Sequence, residues 1–188
     1  MSEGTVEDPV LGHRLSFERI TDEKGGQALR VEIWVDRSGG VPPHVHPGME
    51  ERFEVLAGTA EFLGGRKWQS AGPGQIVVVS PGTRHAYRNR GDQVAHVLCT
   101  ATPPSSLQAF LEETAALNQA GRLTKHAIPK SPRALLEGVA LAHRHRQMVE
   151  LGFPPMPPPT VRRFLFPPLV RFARRRGYAV AQPPQTRA

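Results

Sequence analysis

The deciding stretch of the sequence is residues 44–51, His-Val-His-Pro-Gly-Met-Glu-Glu. His44 and His46 stand two residues apart in a segment predicted to be a strand, so their side chains point to the same face. A carboxylate follows within the stretch, and another histidine, His85, comes after a Pro-Gly turn further along the chain. Imidazole and carboxylate suit Fe, Mn, Ni, Cu or Zn. The stretch therefore indicates a site for one divalent transition metal per chain.

The length of 188 residues predicts one domain, or one domain with an appendage. No stretch approaches the roughly 20 apolar residues of a transmembrane helix, and residues 1–8 lack a secretory signal pattern. Cys99 is the single cysteine, so no internal disulfide forms, and we interpret it as a small buried side chain. These features favour a cytoplasmic protein.

Charge is distributed unevenly along the chain. Residues 103–188 contain 13 Lys and Arg against 4 Asp and Glu, whereas residues 1–102 contain 11 against 13. We therefore predict an N-terminal arm at 1–11, a β domain at 12–102 and a basic helical extension at 103–188, with a Pro-rich linker at 154–159. Basic residues without an array of base-stacking aromatic residues are weak evidence for nucleic acid, and none is expected as a partner.

The first half has the alternation and turn residues of an all-β domain. Apolar and polar residues alternate between Gly- and Pro-containing turns, and the run at 75–80 is typical of a buried strand. Short strands at even spacing favour a sandwich or barrel. The predicted strands, beside the one around His44, are Arg14–Ile20, Ala28–Asp36, Glu51–Ala57, Ala60–Leu63, Arg66–Ser70, Gln75–Ser80, Arg84–Asn89 and Gln93–Ala101.

The second half predicts three helices. The first begins after Ser105 or Ser106 and ends near Gln119, and the second runs from Pro132 to about Leu151. Thr160 caps the third, which Gly177 ends and which Pro167-Pro168 should kink or split. Its apolar stripe is predicted to be Leu165, Leu169 and Phe172, packed on the protein rather than on a membrane. Residues 182–188 are predicted to be disordered.

The motifs resemble those of the cupin superfamily, G-x5-H-x-H-x3,4-E-x6-G and G-x5-P-x-G-x2-H-x3-N. The first is matched by His44, His46, Glu51 and Gly58, although the leading glycine, Gly39, is one place short. The second is matched by Gly74, Gly82, His85 and Asn89, with Ser80 where the pattern has proline and Pro81 directly after it. The resemblance covers residues 12–101 and implies an antiparallel β-barrel of the jelly-roll, RmlC-like type, here with a C-terminal α-helical extension.

The resemblance also implies the ligand set His44, His46, Glu51 and His85. Glu50 has an allowed spacing too, but no glycine follows it at the required distance. Glu51 shares strand parity with Phe53 and Val55, the predicted inward face. We therefore choose Glu51, which could also accept a proton as a catalytic residue.

Other polar and aromatic residues are weaker candidates. Phe53, Tyr87, Asn89 and His96 are predicted to line the pocket, although a structural role is favoured for Tyr87, and for His96 a core or rim position is favoured over that of a fifth ligand. The pair His143 and His145 lies in a predicted helix, where residues two apart do not face each other. We interpret that pair as a solvated face.

The resemblance implies a metal-dependent enzyme acting on a small molecule, with a dioxygenase-like oxidoreductase ahead of an isomerase or lyase. The alternatives are a non-catalytic binding or sensor protein, and a module that meets a partner or membrane through its basic tail. Cupins commonly form homodimers, so a homodimer is expected.

Overall fold

The computed structural model describes residues 5–22, 24–124, 128–151 and 157–178. Within them the protein has two antiparallel sheets followed mainly by helices. The strands are β1 (Val6–Asp8), β2 (His13–Thr21), β3 (Gln27–Val35), β4 (Gly40–Val45), β5 (Glu50–Ala57), β6 (Ala60–Gly64), β7 (Lys67–Ala71), β8 (Ile76–Val79), β9 (Arg84–Arg88), β10 (Ala95–Thr102) and β11 (Glu150–Leu151). The helices are α1 (Leu107–Gln119), α2 (Pro132–Arg144) and α3 (Pro159–Arg175).

The two sheets enclose the main core in a jelly-roll arrangement. One sheet has the order β1-β2-β3-β10-β5-β8 and the other β11-β4-β9-β6-β7. The core contains alternate residues of both, such as Val31 and Val55 from the first and Phe62 and Tyr87 from the second. The predicted fold class is confirmed, although no pairing within the described residues joins the two sheets into a closed barrel.

The strands agree with the sequence prediction to within two residues at their ends, with three differences. β1 and β11 were not predicted, because each is too short to show a period-two pattern. Residues 75–80 were predicted to be a buried strand, which is wrong for four of them. Gln75 and Ser80 are exposed, and Ile76 and Val78 are 48% and 54% exposed. The reason is that β8 is an edge strand, with an outward face that no described element covers.

The helices of the extension differ more from the prediction. α2 ends at Arg144 rather than near Leu151, because the chain turns at His145 and then adds β11 to β4. α3 begins at Pro159, one residue before the predicted cap, and passes through Pro167 and Pro168 without a break. Gly177, with φ 68°, follows its end as predicted. Most of the predicted linker and the segment 182–188 lie outside the described residues.

Packing of α3 on α2 explains why the two prolines do not split the helix. Phe166, Val170 and Ala173 are buried against α2, and Leu169 is partly buried beside them. The buried face of α3 is therefore shifted by about one residue from the predicted apolar stripe, and two residues of that stripe, Leu165 and Phe172, are about 45% exposed. No described helix is long and apolar enough to cross a membrane.

Candidate metal centre

Three histidines and one glutamate meet between the two sheets. His44 lies on β4 directly opposite His85 on β9, and His46 follows the end of β4. Glu51 reaches them from β5 in the other sheet. Their ligand atoms all lie within 4.8 Å of one another. Two ligands of one ion, each about 2.1 Å from it, are at most about 4.2 Å apart, so a small movement would bring all four onto one ion.

Backbone carbonyls fix which ring nitrogen of each histidine faces the cluster. The Nδ1 atoms of His44, His46 and His85 contact the backbone oxygens of Pro42, Met148 and Thr83 at 2.9, 2.9 and 2.8 Å. A carbonyl oxygen only accepts, so each Nδ1 carries the proton. In the neutral rings Nε2 therefore presents a lone pair, which is the state that a metal requires.

The contact between His85 and Glu51 indicates whether the cluster is suited to a cation. The Nε2 atom of His85 and the Oε2 atom of Glu51 lie 2.7 Å apart, and both are buried. Neither atom has a hydrogen-bond partner of good geometry among the described residues, and the Oε2 atom also lies 3.6 Å from Nε2 of His46. Two lone-pair atoms at this distance repel unless a metal ion or a proton on His85 lies between them. The donor set therefore fits a metal ion, and the His/Glu cluster could bind one.

The environment shifts the pKa values of these groups in different directions. Burial, reinforced by His85, lowers the pKa of His44 to about 3, and burial also lowers the pKa of His46. Burial raises the pKa of Glu51, but contact with His85 and the other imidazoles outweighs this and brings it below its ordinary value. Burial lowers the pKa of His85, but contact with the Glu51 carboxylate outweighs it and raises the net value. Glu51 is thus held as an ionised carboxylate, which is the form that a metal ligand requires.

Cys99 fixes the second oxygen of Glu51. Its Sγ atom donates to Oε1 of Glu51 over 3.8 Å, while Oε2 faces the histidines. Cys99 is buried as predicted, and burial followed by the nearby Glu51 raises the pKa of its thiol well above the ordinary value. The residue therefore remains a thiol that positions Glu51.

A cavity of about 190 Å³ opens from the metal cluster towards the helices. Its inner wall includes His44, His46 and Glu51. Its outer wall comes from α1, α2 and the connection between them. The apolar residues of the lining include Leu11, Val31, Ile33, Val41, Phe53, Leu107, Phe110, Leu111, Leu123, Leu135, Val139, Leu141 and Leu151. The C-terminal extension therefore completes the binding cavity of the β domain.

Two of the four predicted pocket residues line this cavity. Phe53 and Tyr87 contribute to it. Asn89 lies elsewhere: its Nδ2 donates to the backbone oxygens of Val35 and Gln93, which fixes a turn. His96 also lies elsewhere, since it points to the outer face of β10, contacts Glu32 at 2.8 Å and stacks on Trp34. Strand parity cannot distinguish the turn role of Asn89 from a pocket role, because Asn89 shares parity with His85 and Tyr87. His96, in contrast, has the parity opposite to that of Cys99, which lines the cavity.

The interpretation of His143 and His145 as a solvated pair is wrong for His145. His145 is buried at the end of α2, and its Nδ1 lies 2.8 Å from Oγ of Ser106. Its Nε2 lies 3.5 Å from the buried carboxylate of Glu113, which also accepts from Arg144. These contacts connect α1 to α2 and so hold the outer wall of the cavity together.

Three residues that contact or line the site were missed, because none of them lies in a recognised sequence motif. Met148 orients His46 through its backbone oxygen, which any residue type would provide. Asn118 lines the cavity from α1. His13 stacks against Tyr87 with ring centroids 5.4 Å apart, and burial lowers its pKa to about 3.

Comparison with known proteins agrees with this geometry. Residues 31–101 match the family model described as the cupin domain. The chain contains a cupin domain. Within it lie all four metal-ligand candidates, whereas α1, α2 and the rest of the extension lie beyond the matched range. No curated protein matches the chain.

Several solved structures resemble the cupin domain. An uncharacterised double-stranded β-helix protein from Klebsiella pneumoniae is 21% identical over 52% of this chain and 83% of its own, with a TM-score of 0.45. An RmlC-like cupin from Shewanella frigidimarina is 17% identical over 55% and 85%, with a TM-score of 0.46. KdgF from Halomonas sp. is 16% identical over 56% and 91%, with a TM-score of 0.47.

Proposed function

We propose that this cupin is a metal-dependent enzyme that acts on a small, largely apolar molecule held in the cavity between the β domain and the helices. The supporting observation is that His44, His46 and Glu51 form part of the wall of that cavity. A ligand in the cavity is thereby brought against the metal cluster. A mainly apolar wall with a few convergent polar groups is typical of small-molecule sites.

The size of the cavity limits the ligand. Its volume of about 190 Å³ exceeds the roughly 150 Å³ of an apolar cavity that accepts benzene. A substituted single ring is therefore a suitable size. Burial of such a ring against Phe53, Leu107 and Leu111 stabilises binding by about 25 cal/mol per Å² of apolar area.

The metal would be held by His44, His46, Glu51 and His85. A divalent ion there supplies Lewis-acid polarisation of a ligand oxygen or, if redox-active, electron exchange with dioxygen. The protein keeps Glu51 ionised, keeps the imidazoles in the correct tautomer and excludes water from the apolar end of the ligand. Following the resemblance, we propose oxidation by dioxygen as the leading reaction class, ahead of isomerisation or elimination.

Oxygen consumption by the iron-loaded protein tests this proposal. Catechols and 1,3-diketones combine a chelating end with a small apolar body. We expect oxygen uptake to match loss of one such compound, and to be absent from the His46→Ala variant. Binding of these compounds without oxygen uptake or product formation would contradict the enzyme proposal.

A non-catalytic sensor is the second candidate, because the helices form the outer wall of the cavity. A bound ligand would contact Leu111 on α1 and Val139 on α2, so its presence could be transmitted to the basic extension. This alternative predicts tight binding without turnover, together with a ligand-dependent change in protection of α1 and α2 in hydrogen exchange.

A further inference from the structure

Asn118 is a buried polar residue in the helical wall of the cavity. It lies near the end of α1, its side chain is 4% exposed, and it lines the same cavity as the metal cluster. Its Oδ1 atom is buried and has no hydrogen-bond partner among the described residues. Among the described residues of the lining outside the metal cluster, no other side-chain oxygen or nitrogen is buried without a partner.

The orientation of the Asn118 amide is fixed by Asp8. The Nδ2 atom of Asn118 donates to Oδ1 and Oδ2 of Asp8 at 2.9 and 2.7 Å. A carboxylate oxygen accepts and the amide oxygen cannot donate, so rotation of the amide by 180° would place two acceptors against each other. The amide nitrogen therefore faces Asp8, and the amide oxygen is left without a donor.

Asp8 is itself held firmly. Its Oδ1 atom accepts from the backbone nitrogens of Val10 and Leu11 at 3.1 and 3.0 Å, and the residue is 3% exposed. The adjacent Glu7 accepts from Gln119 through its backbone oxygen, which attaches β1 to α1 a second time. The N-terminal strand thus holds the amide of Asn118 in one orientation.

A buried acceptor without a donor costs free energy unless a ligand or water supplies the donor. We propose that Asn118 is the second polar anchor of the cavity and selects ligands that carry a hydroxyl or N–H donor in addition to the metal-binding group. This inference rests on the proposed function, since it concerns the same cavity. It assigns the helical extension a direct part in ligand selection.

Zinc-loaded protein and a set of aryl hydroxamates provide the test. Zinc has no redox chemistry, so affinity is measured without turnover, and the hydroxamate group occupies the metal end. The probes are benzohydroxamic acid, its 3- and 4-hydroxy derivatives and the matching methoxy derivatives. We expect at least one hydroxy isomer to bind about tenfold or more tightly than its methoxy counterpart in calorimetry, because the methoxy group accepts but cannot donate.

Asp8→Asn is the variant that distinguishes donation to Asn118 from a general polar effect. An amide at position 8 can keep the contacts with Val10 and Leu11 while directing its own N–H at Asn118, which then rotates and presents N–H to the cavity. We expect the preference for hydroxy over methoxy probes to disappear or reverse. Affinity for unsubstituted benzohydroxamic acid should stay unchanged.

Thr114→Val is the matched control on the same helix. Thr114 also lines the cavity, but its hydroxyl already donates to the backbone oxygen of Phe110 at 2.7 Å. This variant should keep the full preference. Loss of the preference in Thr114→Val, or its persistence at full strength in Asp8→Asn, would overturn the assignment.

Zinc binding is measured first in each protein, by competition with a chromophoric chelator. This measurement separates failure of the proposed function from failure of the proposed role of Asn118. A protein that binds no zinc contradicts the proposed function. If the protein binds zinc but has the same affinity for benzohydroxamic acid and for all of its hydroxy and methoxy derivatives, only the role of Asn118 is contradicted. The wild-type comparison gives this answer even if a variant does not fold.

Discussion

The Nδ1 atom of His46 donates a hydrogen bond to the backbone oxygen of Met148, 2.9 Å away and 102 residues later in the chain. One metal-ligand candidate is therefore oriented by the C-terminal extension, whereas His44 and His85 are oriented by residues two positions before them. The turn after α2 and the pairing of β11 with β4 hold Met148 in place. The extension thus contributes to the metal centre as well as to the cavity wall.

Two truncations are expected to separate these contributions. Removal of residues 147–188 deletes the carbonyl that orients His46, and loss of such a partner typically lowers metal affinity by about 10- to 100-fold. Removal of residues 160–188 deletes α3 but leaves Met148 and β11, so affinity should be kept. Zinc competition titrations measure both, and circular dichroism checks that each protein is folded. Equal affinities would show that Met148 does not orient the ligand.

Replacement of His46 by alanine is expected to lower metal content by about an order of magnitude or more, because it removes one of four donors. His96→Ala is the matched control, since His96 pairs with Glu32 on the outer face of the sheet. Elemental analysis of protein purified without a chelating tag gives metal per chain. Full occupancy in His46→Ala would refute the four-ligand assignment.

Proton competition for the metal is expected to involve mainly His85. Burial keeps the pKa of His44 near 3 and lowers that of His46, whereas contact with Glu51 raises the net pKa of His85. Below about pH 6.5, each metal ion that binds therefore displaces one proton, mainly from His85. Zinc affinity should therefore fall about tenfold per pH unit between pH 6.5 and 5. A thousandfold fall per unit, measured by competition titration, would mean that three histidines compete.

Acid should destabilise the metal-free protein partly through His13. Burial lowers its pKa to about 3 in the folded state, whereas the unfolded state has an ordinary value near 6.5. Between these two pH values the unfolded state therefore binds one proton more than the folded state. The contribution of His13 to the free energy of unfolding is complete above pH 6.5 and decreases by about 1.4 kcal/mol per pH unit below it. His13→Phe should reduce this slope by about one proton in urea denaturation at pH 7, 6 and 5. If the free energy of unfolding had the same pH dependence in the wild type and in His13→Phe, His13 would not be the group that binds the proton.

Phe166 and Phe164 provide a matched pair on α3. Phe166 is 5% exposed and packs on α2, whereas Phe164 is 78% exposed. Phe166→Ala is expected to lower the free energy of unfolding by about 3–5 kcal/mol, and Phe164→Ala to change it by less than about 0.5 kcal/mol. Chemical denaturation compares them. Equal and small effects would mean that α3 is not packed on α2 in solution.

The sequence predicts the β domain well because its signals are local. Alternation of apolar and polar residues gives the strands, and the spacing of His44, His46, Glu51 and His85 gives the residues that the structure brings together. Helix termination at His145 and the unbroken α3 could not be predicted in this way. Both depend on contacts with distant elements, such as β4 for the turn before β11 and α2 for the face around Phe166.

The same limit applies to the cavity. Asn89 shares strand parity with Tyr87, which lines the cavity, yet its hydrogen bonds place it in a turn. His96 has the parity opposite to that of Cys99, and this parity agrees with its position on the outer face. The role of Asn118 depends on Asp8, 110 residues earlier. No spacing rule connects two residues that meet only after both sheets and α1 have formed.

The four metal-ligand candidates all come from the β domain, whereas much of the cavity wall comes from α1 and α2. The extension reaches the metal cluster through the backbone of Met148, a contact that does not depend on the side chain. Mutations in α1 and α2 can therefore accumulate without disturbing the metal. A lineage carrying this architecture could acquire a new ligand by evolving its helices while inheriting the metal-binding strands unchanged.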